Sequence, residues 1–320
     1  MKITEKEIIS KYLRSLTFNN NNSLNLMDDV YYDMKKKIIF STDTYEEGIH
    51  FLNSVNSVKF IKKIFRSSIS DIICKGCKPT TYFLSLSINK LKKKWLKNLK
   101  TELTKESKKF GIFLGGGDTV KSKKRLSVTI SVIGDVVKKP ILRSTAKIND
   151  DIYVTGNIGD SYLGLLVYLN RKSFGNLNKY FKKAYDEPIL PFRFSKFLNR
   201  FASSSIDISD GLIADLENIC IASKCGAHIY FSDLPISKNA KNILYKKKIN
   251  FLNFFSKGDD YQILFTAHKK NRKKIDLISK KTTTKVTRLG KIVKGRLVKM
   301  TNSGVTVDLS TKNNGYIHRF

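Results

Sequence analysis

Six short segments of this chain set Asp among small or turn-forming residues: Met27-Asp28-Asp29, Ser41-Thr42-Asp43, Ser70-Asp71, Gly115-Gly116-Gly117-Asp118-Thr119, Asp207-Ile208-Ser209-Asp210-Gly211 and Gly258-Asp259-Asp260. Acidic residues are otherwise scarce, with 19 Asp and 8 Glu in 320 residues. A short carboxylate at the end of a strand or the start of a helix suits a hard cation, because Mg²⁺ takes a few carboxylate oxygens and fills its octahedron with water and substrate phosphate. Any one of these Asp could be a helix N-cap or a turn former. Six such segments in an acid-poor chain point instead to a fold that gathers them.

The hydrophobic pattern between the segments is that of an α/β (α+β) protein. Residues 5–18 carry Ile8, Ile9, Tyr12, Leu13 and Leu16 at helical spacing, and 57–75, 90–110, 161–169, 192–201 and 211–224 also read as helices. Strands are predicted at 37–40, ending at Ser41-Thr42-Asp43, and at 81–88, 126–136, 152–156, 227–231, 261–267 and 286–293. The glycine run at 115–117 reads as a turn where a strand ends. The pattern pauses near Lys138-Lys139-Pro140, which predicts two α/β domains, 1–138 and 139–320.

Composition excludes several classes. At 41% hydrophobic residues the chain can build real cores, which excludes disorder. No apolar run reaches the roughly 18 residues of a membrane span, and the start MKITEKEIIS is charged where a signal peptide is apolar, so a cytoplasmic protein without membrane association is expected. The net charge of +33 invites a nucleic-acid reading. The lysines are nevertheless spread along the whole chain without a basic arm, so no nucleic-acid partner is expected.

Familiar nucleotide motifs are missing: there is no G-x-x-x-x-G-K-[ST] and no G-x-G-x-x-G. Cys74-Lys75-Gly76-Cys77 and Cys220/Cys225 lack the tight paired knuckles of a zinc ribbon and are read as reduced thiols. No G-x-S-x-G elbow supports a serine nucleophile.

In order and spacing, the Asp segments together with Gly48-Ile49-His50-Phe51, Asp151-Ile152-Tyr153-Val154-Thr155-Gly156 and Gly258-Asp259-Asp260-Tyr261 resemble the thiamine-monophosphate kinase family. The resemblance spans nearly the whole chain. It implies a two-domain ATP-using fold whose N-terminal domains pair across a homodimer to complete a β-barrel. It implies Mg²⁺ ligands at Asp29, Thr42, Asp43, Asp71, Asp118 and Asp207, a further one at Ser41, and an additional ion at Asp210. Gly117, Asp118, Arg143 and Ser209 match positions that contact ATP, and His50, Asp259 and Tyr316 match positions that contact thiamine monophosphate. The chain departs from the family pattern at Met27, where Gly is usual, at Asp259, where Glu is usual, and at Tyr316, where Trp is common.

The reaction so implied moves the γ-phosphoryl of ATP onto the phosphate of thiamine monophosphate. A phosphate monoester has a second pKa of about 6, so the acceptor oxygen is already ionised and no catalytic base is expected. Two alternatives remain at this level: an ATP-dependent synthetase of purine biosynthesis from the same superfamily, and a basic nucleic-acid-binding protein on an inactive fold.

Overall fold

The structure, a computed structural model, describes residues 3–52, 58–90, 92–246 and 249–309. Its first half is an open five-stranded sheet in the order β1-β2-β5-β3-β4: β1 (Tyr31–Asp33), β2 (Ile38–Glu46), β3 (Lys78–Ile88), β4 (Phe113–Lys121) and β5 (Ser127–Asp135). Only β3 and β4 run parallel. The second half is a seven-stranded sheet in the order β12-β11-β8-β10-β6-β9-β7: β6 (Asp151–Thr155), β7 (Ala202–Asp207), β8 (Gly226–Tyr230), β9 (Ile263–Ala267), β10 (Val286–Val293), β11 (Val298–Asn302) and β12 (Val305–Asp308). The helices are α1 (Glu5–Ile8), α2 (Phe60–Cys74), α3 (Lys93–Phe110), α4 (Asp160–Tyr168), α5 (Asn178–Asp186), α6 (Phe192–Ser195), α7 (Leu212–Ser223), α8 (Lys238–Lys246), α9 (Phe251–Phe255) and α10 (Arg272–Thr282). The mixed α/β class read from the sequence is what the chain adopts. No barrel closes among the described residues, and no described helix is long and apolar enough to cross a membrane.

Three expectations are corrected. Asp43 lies inside β2 rather than at a strand end, because β-branched Thr42 and Thr44 continue the strand and pair through their hydroxyls with Ser131 and Thr129 of β5. The glycine run lies inside the exposed edge strand β4, not in a turn. A Cβ at Gly117 would stand 1.9 Å from the Leu84 carbonyl oxygen, so close approach to β3 accounts for that glycine. The predicted helix at 192–201 is broken into α6 and a 3₁₀ turn, Leu198–Arg200.

Helix α2 decides how the halves meet. Nearly every residue from Phe60 to Cys74 is buried, because the helix touches β2, β5 and α3 of the first half and β7, α5 and α6 of the second. A helix covered all round is hydrophobic over most of its surface, and here Ile61, Ile64, Phe65, Ile69, Ile72 and Ile73 fill that role. Its polar residues are used as ties. Arg66 makes a bidentate pair with Glu106 of α3, at 2.7 and 2.8 Å, and donates to the Pro188 carbonyl at 3.0 Å. Ser205 of β7 donates to the Cys74 carbonyl at 2.5 Å, and Lys62 pairs with Glu187 at 2.9 Å.

Replacing Glu106 with Gln would leave the buried Arg66 guanidinium without its counter-charge, and such losses cost about 3–5 kcal/mol. Urea unfolding of Glu106→Gln should read a loss of that order, whereas a loss below about 1 kcal/mol would mean the pair is not a structural tie.

Candidate metal and phosphate site

Asp29 follows the turn before β1, Asp71 projects from α2, and Asp207 ends β7. The seam between the halves brings them together, with one carboxylate oxygen from each within 4.8 Å of the others. Hydroxyls orient two of them: Ser41 Oγ donates to Asp71 at 2.5 Å, and Ser70 Oγ donates to Asp207 across the seam. Ser41, Asp43 and Tyr45 occupy the α2-facing side of β2, where the Tyr45 hydroxyl donates to Asp43 at 3.3 Å and hydrogen-bonds Ser68 at 2.9 Å.

Crowding shapes the ionisation of the group. Burial and then the Asp207 charge push Asp43 up to about 6. Burial and then the Asp29 charge raise Asp207 to about 6 and Asp210 to about 7. Asp71 is driven well above the carboxylate range by burial and by the charges of Asp43 and Asp207. Asp29 goes the other way: burial alone would raise it, but Arg143 and Lys75 outweigh that and hold it low. Oxygen-only donors whose repulsion the protein relieves at Asp29 but leaves standing at Asp43, Asp71 and Asp207 fit a hard divalent cation such as Mg²⁺.

Around this centre, Arg143 pairs with Asp29 through its guanidinium and donates its backbone amide to Asp28 Oδ2 at 2.9 Å. Asp215 accepts the amides of Asp210 and Gly211, both at 3.1 Å, and so fixes the Asp207–Gly211 loop. That loop lies backbone to backbone on 256–262: Ile208 N donates to Gln262 O at 2.8 Å, Tyr261 N to Ile208 O at 2.8 Å, and Asp259 N to Ser209 O at 3.0 Å. A Cβ at Gly258 would fall 1.6 Å from the Ser209 oxygen, so only glycine allows this contact. Asp259 and Tyr261 carry left-handed φ of 68° and 50° to maintain it.

His50 and Asp259 meet at a second focus. Lys63 Nζ stands 2.9 Å from Asp259 Oδ2, donates to the His50 carbonyl at 3.2 Å, and sits 3.6 Å from the centre of the Tyr185 ring. His50 Nδ1 accepts the Glu46 amide at 2.9 Å. Beside them lies a cavity of about 200 Å³ lined by Phe51, Phe60, Lys63, Tyr168, Tyr185 and Asp186.

Among the described residues, Asp118 stands apart together with its neighbour Gly117, and Thr42 points to the same far face. Asp118 lies on β4 in the row Thr44–Thr129–Ser85–Asp118, on the sheet face that also carries Thr42 and points away from α2. It is three strand spacings, about 14 Å, from β2 and on the opposite face from Asp43. Tyr316 lies outside the described residues. The sequence reading missed Lys63, Lys75, Tyr45, Asp215 and Tyr185. Lys75 follows the apolar run Ile72-Ile73-Cys74 directly, a placement that marks it as a candidate buried charge.

The fold and the carboxylate centre define a class first: residues 27–136 match the family described as "AIR synthase related protein, N-terminal domain". Among solved structures, AaThiL complexed with AMPPCP and TMP superposes with a TM-score of 0.83 at 24% identity, covering 99% of both chains, which shows the shared fold. The thiamine-monophosphate kinases of Buchnera aphidicola from Acyrthosiphon pisum and from Schizaphis graminum are 36% and 35% identical over 301 and 300 residues, about nine-tenths of this chain and of each relative. The chain belongs to the thiamine-monophosphate kinase family and is an enzyme, a kinase.

The raised carboxylates give a signed pH dependence. Their neutral forms favour the metal-free fold below the usual carboxylate range near 4, and that contribution is lost as pH rises through about 6 to 7. Asp29, held low, stays ionised across this window and adds no slope there. The rise in melting temperature on adding Mg²⁺ should therefore be larger at pH 8 than at pH 5. An equal rise at both would sink the placement of the ion among these carboxylates.

Proposed function

We propose that this protein transfers the γ-phosphoryl of ATP to thiamine monophosphate, giving thiamine diphosphate and ADP, with Mg²⁺ held by Asp29, Asp71 and Asp207 and by Asp43 beside them. The observation that carries the reading is the convergence of these carboxylates at the seam between the halves, in a chain of this family. Bound there, Mg²⁺ would neutralise phosphate charge and hold the reacting oxygens in line.

The chain's own residues supply orientation. Ser41 and Ser70 fix the carboxylates, and Asp215 fixes the loop that carries Asp210 and Ser209. Arg143, on the Asp29 side of the centre, offers a guanidinium for ATP phosphate. The aromatic cavity beside Lys63 suits a flat cationic heterocycle such as the thiazolium, with Tyr168, Tyr185 and Asp186 as its walls. Asp259 and His50 flank that cavity as substrate contacts, with Tyr316 expected to close over it. The acceptor phosphate is ionised at neutral pH, so no side chain is assigned as a base.

The division into domains 1–138 and 139–320 is supported by the two sheets, which lie on either side of it. The position of Asp118 supports a homodimer in which N-terminal sheets pair and Asp118 and Gly117 of one copy serve Thr42 and the nucleotide of the other. The additional ion at Asp210 is supported by its carboxyl, which burial and then the Asp29 charge push up to about 7, so that a cation there would relieve it.

Purified protein with Mg-ATP and thiamine monophosphate should form thiamine diphosphate, read by chromatography, and none without magnesium. Asp207→Asn should lower turnover at least a hundredfold with a metal-free melting temperature no lower than wild type at neutral pH, because the amide removes a charge that burial and Asp29 disfavour. Product formation without magnesium, or full activity of Asp207→Asn, overturns the assignment. Asp118→Asn and Asp71→Asn should each be inactive alone, while subunit mixing should restore up to about a quarter of the wild-type rate, as expected for statistical hybrids with one intact site. Activity recovered by neither mixing nor refolding the two together would remove the shared site.

A further inference from the structure

Lys75, the residue that caps α2, is fully buried. A lysine so placed has given up its hydration, and its Nζ finds substitutes on both sides of the seam: Asp28 Oδ1 at 2.7 Å and the Ser205 carbonyl at 3.1 Å. It also stands 3.9 Å from Asp29 Oδ2. Both oxygens of Asp28 are in turn engaged, and its side chain is only 3% exposed. Its Oδ1 accepts the Asp29 amide at 3.0 Å as well as Lys75, and its Oδ2 accepts the Arg143 amide at 2.9 Å. Asp28 therefore has no free face for a metal or a phosphate. It is a knot that ties together the backbones of Asp29 and Arg143, and Lys75 is the cation that neutralises it.

We propose that Lys75 is a positioning residue and resident counter-charge of the magnesium site: it holds Asp28 and, through it, Asp29 and Arg143, and its fixed positive charge beside Asp29 sets how tightly magnesium binds. The inference rests on the assignment of Asp29, Asp71 and Asp207 as the magnesium centre. Lys75 itself touches no substrate, since it has no exposed surface and its ammonium already faces acceptors.

The sign of the effect follows from charge alone. Removing Lys75 leaves the site one unit more negative and should tighten magnesium binding, whereas neutralising Asp28 leaves it one unit more positive and should weaken it. At a separation of several ångströms in a partly solvated site, each change is on the order of tenfold in affinity. A packing role would lower stability without moving magnesium affinity in opposite directions.

The test is calorimetric titration of MgCl₂ into nucleotide-free wild type, Lys75→Met, Asp28→Asn and the double variant, each shown to be folded by its melting transition. The expected result is tighter binding in Lys75→Met, weaker binding in Asp28→Asn and near-wild-type affinity in the double variant. If Lys75→Met does not fold, Asp28→Asn alone decides, and wild-type affinity in it overturns the proposal. Unchanged affinity in the single variants, with wild type binding normally, overturns the role of Lys75 and leaves the magnesium centre intact. Absence of magnesium binding by wild type overturns the centre and this inference with it.

Discussion

Carboxylates that repel one another stay within 4.8 Å because α2 is wedged between the two sheets. Asp71 comes from the helix itself, Asp207 from the strand bound to it and Asp29 from the turn anchored through Lys75, the residue that caps the helix. The folding free energy of the apolar seam thus holds charges in a geometry they would not adopt alone, and a ligand that relieves the repulsion is favoured from the outset. The ties made by Arg66, Ser70 and Lys75 each cross between the halves. Rocking the halves apart would strip partners from buried polar groups, so the cleft is largely preformed.

The class and most elements were legible because strand and helix periods are clear in 81–88, 90–110, 126–136 and 211–224. The reading failed where local signals and tertiary demand part. Glycines at 115–117 mark turns by propensity, yet β3 admits the run as a strand because its backbone lies so close to Gly117. Asp43 looked like a strand end because Asp disfavours strands, but its burial against α2 and its Tyr45 partner hold it mid-strand. The Asp segments themselves were readable as a set. Their supporting groups were not: Lys63, Lys75 and Asp215 act through contacts more distant than any spacing rule reports, apart from the short reach of Asp215 to Asp210.

The distribution of charge has two scales. The chain as a whole is strongly positive, while the centre is a local concentration of anions. Diffuse surface lysines draw polyanionic metabolites toward the protein at long range. At close range a phosphate would meet a carboxylate wall unless a cation intervened, so an ion that relieved the protein's internal repulsion would also admit a phosphate-bearing ligand.

The backbone pairing of 207–211 with 256–262 constrains more than geometry. Left-handed Asp259 and Tyr261 each carry a strain of about 1–3 kcal/mol, tolerated because the amides of Ile208, Asp259 and Tyr261 are matched to carbonyls across the contact. Adding or deleting a single residue in either segment would shift that matching by one and strand several buried polar groups at once. In a chain whose surface can exchange one polar residue for another with little consequence, these two segments are therefore length-locked, and lineages that vary freely elsewhere should keep the same number of residues here.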